Sequence, residues 1–170
     1  GFHGVIVAAD KDFGQLIDDG DEQWDPPRNL RWDGAGIKAR LGVMPRQVAD
    51  FLALTGDAVD NIPGVPGIGA KTAAALLHHF GTLDALLERA DEVAFLRTRG
   101  AAAAAMRLRE HAAIARLSRA LTGIALDAPV PLDADDYRRR NHDAGGLELL
   151  VEKLRFGPLT RARIHALANL

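Results

Sequence analysis

Residues Leu52 to Thr72 read LALTGDAVDNIPGVPGIGAKT, and the rest of the chain is best understood outward from them. Two carboxylates, Asp57 and Asp60, stand three residues apart, and a glycine-proline turn follows that ends in Ala70, Lys71 and Thr72. In a helical turn, residues i and i+3 share a face, so a helical segment over 57–61 would aim both acids the same way. Two such charges about 4 Å apart repel by about 4 kcal/mol at an effective dielectric of about 20. No lysine or arginine lies between Leu52 and Ala70 to offset that locally. Two readings of the pair stand. The acids are solvated or capping residues ahead of a helix, or they are oxygen ligands for a hard divalent cation, which takes one or two carboxylates and reaches phosphate oxygens.

After Ile62, the run Pro63, Gly64, Val65, Pro66, Gly67, Ile68, Gly69 cannot continue a helix or strand, because proline lacks a donor and glycine readily takes positive φ. Ala70 to Phe80 then places Ala73, Leu76, Leu77 and Phe80 on one face and stops at Gly81, the period and stop signal of an amphipathic helix. The turn therefore delivers unpaired backbone N–H groups to a helix amino terminus that favours an anion, and Lys71 adds a full charge. Two nucleotide motifs fail here. Ala70 interrupts G-x-x-x-x-G-K-[ST] between Gly69 and Lys71, and no apolar strand leads into the loop. Thr72 stands where G-x-G-x-x-G needs its last glycine, again without the strand. What remains is a hairpin of two helices that holds a nucleic-acid backbone without reading bases.

Upstream, Pro45 opens a helix carrying Val48, Phe51, Leu52 and Leu54. Asp33 caps another that runs through Ile37 and Leu41 to Gly42. Residues 22–24 and 30–32 read as a strand hairpin around Pro26, Pro27 and Asn29. Residues 4–9, GVIVAA, are β-branched and do not alternate, the pattern of a strand buried on both faces of a parallel sheet. Asp10 and Asp12 fall at its carboxyl end, where open α/β sheets build their sites. Extension through Asp12 would put both acids on one side and Lys11 on the other. Such a strand needs neighbours and no later run of its type exists, so most of the sheet is expected upstream in a longer protein. Phe13 to Ile17 begins a helix. Val43, Phe51, Leu54, Leu76 and Phe80 are the expected core.

Downstream, Leu83, Leu86 and Leu87 make a short helix, with Asp84, Glu88, Asp91 and Glu92 as a solvated face. The run AAAAAMRLREHAAIARLSRAL from Ala101 is strongly helical. Arg97, Arg99, Arg107, Arg109, Arg116 and Arg119 stand there against a lone Glu110, either a phosphate track or a solvated helix face. Pro129 and Pro131 mark a linker and Arg138 to Arg140 a second basic cluster; residues 147–154 and 159–167 form two closing helices. His78, His79, His111, His142 and His165 show no metal-ligand spacing.

Composition narrows the classes. The 170 residues are 48% hydrophobic and 26% charged, ordinary for a globular chain of one domain. A net charge of −2 leaves no global nucleic-acid footprint, so any such surface is local. The absence of cysteine excludes disulfides and thiolate zinc sites and fits a reducing cytoplasm. No apolar run reaches the roughly 20 residues that span a bilayer, and no secretory signal is present.

At residues 56–73, GDAVDNIPGVPGIGAKTA, the chain resembles the metal-binding and helix-three-turn-helix block of the bacterial 5′-3′ exonuclease and flap endonuclease family, the type found as the 5′-nuclease domain of DNA polymerase I. Ala9, Asp10, Lys11 and Asp12, with Gln15 and Leu16, resemble that family's aspartate-lysine-aspartate block, and Leu154, Arg155, Phe156 and Gly157 its closing helices. The resemblance implies a mostly α fold: the C-terminal helical part of an α/β 5′-nuclease, with one residual parallel-type strand and a small hairpin. It assigns residues 1–43 to the end of an α/β metal-binding, PIN-like domain. Residues 44–170 become the helical C-terminal domain, with the DNA-binding hairpin at 44–81. The implied activity is structure-dependent 5′-3′ exonuclease or 5′-flap endonuclease cleavage of DNA with two divalent cations, Mg2+ or Mn2+. Asp10, Asp12, Asp57 and Asp60 would serve the second cation. Potassium would sit in the hairpin on the main-chain carbonyls of Leu54, Thr55, Pro63, Val65 and Ile68. Gly64, Gly67, Ile68, Gly69, Ala70, Lys71 and Thr72 would grip the DNA backbone.

The implied partners are DNA with 5′ flaps, branches or duplex ends, and a polymerase in trans or in a longer chain; no membrane is involved. The expected state is a monomer in the cytoplasm, associated with the nucleoid. The family's remaining metal ligands and its arch have no counterpart in these residues, so this chain alone is expected to bind DNA without cleaving it. Gly14 replaces the bulkier apolar residue usual after the second aspartate, which predicts looser packing there. The alternative is a non-catalytic duplex or branched DNA-binding module, against which four retained acids facing phosphate argue.

Overall fold

A computed structural model describes residues 3–98, 100–130, 133, 135, 138 and 143–168. They form two compact units, residues 1–126 and 127–170. Arg99, Pro131, Arg139, Arg140 and His142 lie outside the described residues.

The first unit begins with β1 (Val5–Val7), which pairs parallel with β2 (Glu22–Asp25); β2 pairs antiparallel with β3 (Leu30–Trp32). The β2–β3 hairpin turns as its sequence predicts. Asp25 accepts from the Arg28 backbone N–H, and Asn29 takes the left-handed conformation with φ 51°. β1 corrects the expectation of a strand buried on both faces. Val5 is 48% and Val7 60% exposed, and only Ile6 packs on the core. The period of two sends alternate side chains to opposite faces, and in this sheet only one face of β1 is covered.

Two 3₁₀ segments and two helices follow the sheet's logic into the core. Asp33 accepts from Gly36 N–H at 2.7 Å and caps α1 (Gly34–Leu41), which ends on Gly42 at φ 79°. Pro45 opens a 3₁₀ turn (Pro45–Gln47) that runs into α2 (Val48–Thr55). Every residue of α2 from Val48 to Leu54 is buried, the mark of a helix enclosed on all sides. The expected core residues Val43, Phe51, Leu54, Leu76 and Phe80 are all 6% exposed or less. Lys11–Leu16 is a 3₁₀ helix beside α2. Gly14 within it is buried, and a Cβ there would meet Ile37 at 3.2 Å and Val48 at 3.7 Å. The looser packing expected at Gly14 is therefore absent, because Ile37 fills that volume.

α3 (Ala70–Phe80) and α4 (Leu83–Glu88) match their predicted bounds, and a 3₁₀ segment (Ala90–Phe95) leads on. The alanine-rich run is broken in two, α5 (Ala101–Glu110) and α6 (Ala112–Thr122). His111, at φ −109° and ψ 20°, is the joint: its N–H closes α5 on Arg107 while its carbonyl accepts from Ala115 and starts α6. The bend lets α5 lie on Ala90–Phe95 and α6 on α2. In the second unit, α7 (Ala144–Lys153) and α8 (Pro158–Ala168) take the places expected of the closing helices, joined by His165 Nε2 to Glu148 Oε1 at 3.1 Å. Among the described residues no helix is long and apolar enough to cross a membrane.

Polar side chains, none assigned a role from sequence, hold the helices in place. Gln47 donates to the Leu77 and Gly81 carbonyls at 2.9 and 2.8 Å, satisfying the end of α3. Buried Asp50, on α2, accepts from Leu83 N–H at the start of α4 and from Arg119 of α6. Hydrogen bonds to a charged group contribute about 1.5–3 kcal/mol each, and Arg119 is 42% exposed, which puts its bond at the low end. Asp50→Ala is thus expected to lower stability by about 2–4 kcal/mol, read as a lower urea midpoint at unchanged slope; an unchanged midpoint would show that α2, α4 and α6 pack without it.

Candidate metal centre and nucleic-acid interface

The carboxylates begin on two distant segments. Asp10 caps the Lys11–Leu16 3₁₀ helix, its Oδ1 accepting from Asp12 N–H at 3.0 Å. Two glutamines fix this block. Fully buried Gln23 donates to the carbonyls of Ala8 and Asp10 at 2.9 and 2.5 Å. Gln15 donates to the carbonyls of Asp12 and Thr122 at 2.9 and 3.0 Å and accepts from Ile124 N–H at 3.0 Å.

The second segment is a tight turn rather than the helical turn expected for 57–61. Asp57 and Ile62 exchange backbone hydrogen bonds, both 2.8 Å, and Asn61 takes φ 57°. Asp57 Oδ1 accepts from Val59 N–H at 3.1 Å, a local bond that competes with helix and favours a turn. The outcome expected of a helix is reached by this other route. Single carboxylate oxygens of Asp12, Asp57 and Asp60 lie within 4.8 Å of one another. Asp10 is not in that group, although its charge is felt at Asp12.

Lys11 overturns the expectation that it faces away. The chain is 3₁₀ rather than extended from Lys11 onward, so the alternation ends, and Lys11 Nζ forms an ion pair with Asp57 and stands 3.9 Å from Asp12 Oδ1. The cation missing from residues 52–70 comes from 46 residues upstream. The hydrogen bond from Lys11 holds the Asp57 carboxyl below its usual range despite burial. Burial, and after it the Asp10 charge, pushes the Asp12 carboxyl up. Lys11 itself is raised: burial pulls it down, and its hydrogen bond and the charges of Asp57, Asp12 and Asp10 outweigh that.

These residues fit a hard divalent cation. Asp12 Oδ1 is buried and accepts no hydrogen bond among the described residues, a cost that a cation would remove. The set is all-oxygen and dianionic or more, as magnesium or manganese requires.

The hairpin turn is attached directly to the acid turn. Leu54 O accepts from Val65 N–H at 2.9 Å, and a Cβ on Gly64 would lie 2.2 Å from the Gly56 nitrogen. Leu54, Thr55, Pro63 and Val65 are brought together by this crossing, and Ile68 N–H bonds the Val65 carbonyl at 3.0 Å. Gly64 and Gly67 take φ of 63° and 74°. Ile68 is buried. Gly69 is the N-cap of α3 without a side-chain cap, and Ala70, Lys71 and Thr72 are exposed. The first N–H groups of the helix are therefore open to an anion.

Two arginines of that stretch are engaged by acids. Arg109 pairs with Asp91 and Arg119 with Asp50, so neither forms an unoccupied phosphate track. Arg138 pairs with Asp135. Arg107, from α5, donates to the Gly67 carbonyl at 3.0 Å and adds a second positive charge to the hairpin turn. That contact, like the positions of Lys11, Gln23 and Asp50, has no local sequence signal, since its partners lie 40 residues apart.

A family model described as 5′-3′ exonuclease, C-terminal SAM fold, matches residues 43–145. DNA polymerase I of Rhizobium leguminosarum is 37% identical over 157 residues, covering 92% of this chain and 15% of the relative. The thermostable DNA polymerase I of Thermus aquaticus is 37% identical over 159 residues, covering 94% and 18%. The chain thus spans under one fifth of the length of these relatives. Among solved structures, a bacteriophage T5 D15 flap endonuclease complexed with DNA and metal ions superposes with a TM-score of 0.60 at 21% identity, covering 71% of this chain and 42% of that one. A T5 5′-exonuclease with bound zinc gives 0.61 over the same 71%. At that identity the likeness is one of fold.

Two outcomes follow from the geometry. Gly64→Ala would place a methyl against Gly56 at positive φ, and is expected to lower stability by about 2–4 kcal/mol in a denaturant titration; a neutral result would mean the crossing can open. Asp57, depressed in the folded state, contributes stability above the ordinary carboxylate range that is lost as pH falls through its lowered value. Lys11→Met raises that value, so acid unfolding followed by circular dichroism in chelator should begin at higher pH; superimposable acid curves would show that Lys11 does not hold Asp57.

Proposed function

Since this chain belongs to the 5′-3′ exonuclease family, we propose that it is the second-cation and duplex-holding part of a structure-dependent 5′ nuclease, cutting DNA as a 5′-3′ exonuclease or 5′-flap endonuclease. In this reading residues 1–43 close an α/β metal-binding domain and residues 44–170 form the helical domain, with the DNA hairpin at 44–81. The observation that carries it is the meeting of Asp12, Asp57 and Asp60 within 4.8 Å, on a turn that shares its stem with an uncapped helix amino terminus bearing Lys71.

Asp12, Asp57 and Asp60 would hold a divalent cation, Mg2+ or Mn2+, with Asp10 contributing charge from outside the group. A cation bound there supplies Lewis-acid polarisation of a phosphodiester oxygen. Gln15 and Gln23 hold the Asp10–Asp12 backbone, so the acids are presented without reorganisation. The first turn of α3, with Gly67, Gly69, Ala70, Lys71 and Thr72, grips a backbone phosphate on duplex DNA, contacts that position the strand rather than read it. The carbonyls of Leu54, Thr55, Pro63, Val65 and Ile68 would hold potassium. Those of Leu54 and Val65 each accept one backbone hydrogen bond and keep a second lone pair. The substrate class is DNA with 5′ flaps, branches or ends, met by a monomer in the cytoplasm, beside a polymerase in the same or another chain. These residues alone would bind DNA with little or no cleavage.

The test uses the longer protein that contains this chain, a 5′-flap DNA and Mg2+. Asp57→Asn is expected to abolish cleavage and keep DNA binding. Binding without cleavage by the unaltered longer protein would instead favour a purely DNA-holding module. Lys71→Ala should weaken duplex binding alike for every sequence and reduce its salt slope by about one; unchanged affinity would remove the hairpin from the contact surface.

A further inference from the structure

A groove of about 690 Å³ runs along α3, between it and the segment from Val93 to Arg107. Its apolar floor is formed by exposed Ala75 and half-buried Leu96 and Ala103, over Leu76 and Val93, which are only 2% and 1% exposed. Its charged lining is Lys71, Arg97 and Arg107; His78 and His79 also line it. No aspartate or glutamate among the described residues lines it, although acids outnumber Lys and Arg by 23 to 21 in the chain.

The contrast with neighbouring arginines is informative. Arg109 and Arg119 are neutralised by Asp91 and Asp50. Lys71 and Arg97 are exposed and meet no acid among the described residues. Arg107 donates to a neutral carbonyl and keeps its charge uncancelled. The groove therefore gathers three cations that no acid among the described residues neutralises, and its complement is a polyanion.

Shape selects among polyanions. Duplex DNA presents convex backbone ridges with its bases stacked inside, and such a surface meets a rim without entering a recess. An unpaired strand can turn bases onto an apolar floor while its phosphates meet a cationic rim. Lys71 to His78 extends about 10 Å along α3 at about 1.5 Å per residue, room for more than one nucleotide of a strand that rises about 3.4 Å per step when stacked. The groove starts at Gly67 and Lys71, where the hairpin turn ends.

We propose that this groove between α3 and Val93–Arg107 binds an unpaired DNA strand that leaves the duplex at the hairpin turn. The inference rests on the reading of the hairpin as a duplex-backbone grip.

The experiment measures fluorescence anisotropy of the full chain in chelator, at fixed ionic strength, on a blunt duplex and on the same duplex with an oligothymidine overhang at either end. The overhang should tighten binding to the unaltered chain. Arg97→Glu should remove that gain, about tenfold or more, because it sets like charge against phosphate, and leave blunt-duplex affinity within about twofold. Arg97→Lys should retain most of the gain, which separates a charge contact from a folding defect. The proposal is overturned if blunt duplex binds and no overhang adds affinity, or if Arg97→Glu leaves the gain intact. It is also overturned if Arg97→Glu weakens blunt duplex by the same factor, since the groove would then be tracking paired DNA. Absence of binding to both DNAs would overturn the hairpin reading itself, and this one with it.

Discussion

Two glycine backbones crossing at van der Waals contact hold the candidate site together. Where Gly64 passes Gly56, a Cβ would sit 2.2 Å from the opposing nitrogen, and one on Gly56 would sit 2.7 Å from the Ile62 carbonyl. No side chain can be accommodated on either strand of that crossing, and both residues take positive φ. On one side the chain makes the acid turn that carries Asp57 and Asp60. On the other it makes the Val65–Gly69 turn that opens α3. The distance between the acid turn and the amino terminus of α3 is therefore set by rigid backbone, closed by the Leu54–Val65 and Asp57–Ile62 hydrogen bonds, and not by flexible side chains. α2, enclosed on all sides, anchors the stem of both turns.

Around that crossing, electrostatics divides the surface. The carboxylates of half-buried Asp12, buried Asp57 and exposed Asp60 converge within 4.8 Å, where they repel one another, and Lys11 offsets part of that repulsion. Cations concentrate instead at the turn and along α3, where Lys71, Arg97 and Arg107 surround the groove. A chain with a net charge of −2 can present a cationic face because the fold sorts charge by place. Arg119 is drawn to buried Asp50, while Arg97 and Arg107 lie beside α3 without an acid partner among the described residues.

The DNA polymerase I relatives that the chain matches are much longer than it is. The first unit brings Asp12, Asp57 and Asp60 together beside the hairpin turn, whereas β1 has one covered face and exposes Val5 and Val7 on the other. The hairpin is closed by its own hydrogen bonds and glycines, with Arg107 of α5 bonded to its Gly67 carbonyl. The acid centre draws on β1, the 3₁₀ helix and α6 through Gln23 and Gln15, and so depends on more of the chain than the grip does.

What the amino-acid order determined by itself was everything carried by short-range stereochemistry. Proline and glycine marked the turn from Pro63 to Gly69, the 3.6-residue period set the face and bounds of α3, Asp33 and Gly42 bracketed α1, and the Pro26–Asn29 turn paired two strands. The five expected core residues were legible for the same reason, since burial follows that period. Only the tertiary structure decided what depends on partners distant in sequence. Lys11 turns into the acids because the strand yields to a 3₁₀ helix; the acid turn is closed by a bridge and not by helix; Arg119 pairs with Asp50 from 69 residues away. A charged side chain's direction is set by whichever opposite charge the folded backbone brings within a few ångströms, and no local pattern encodes that.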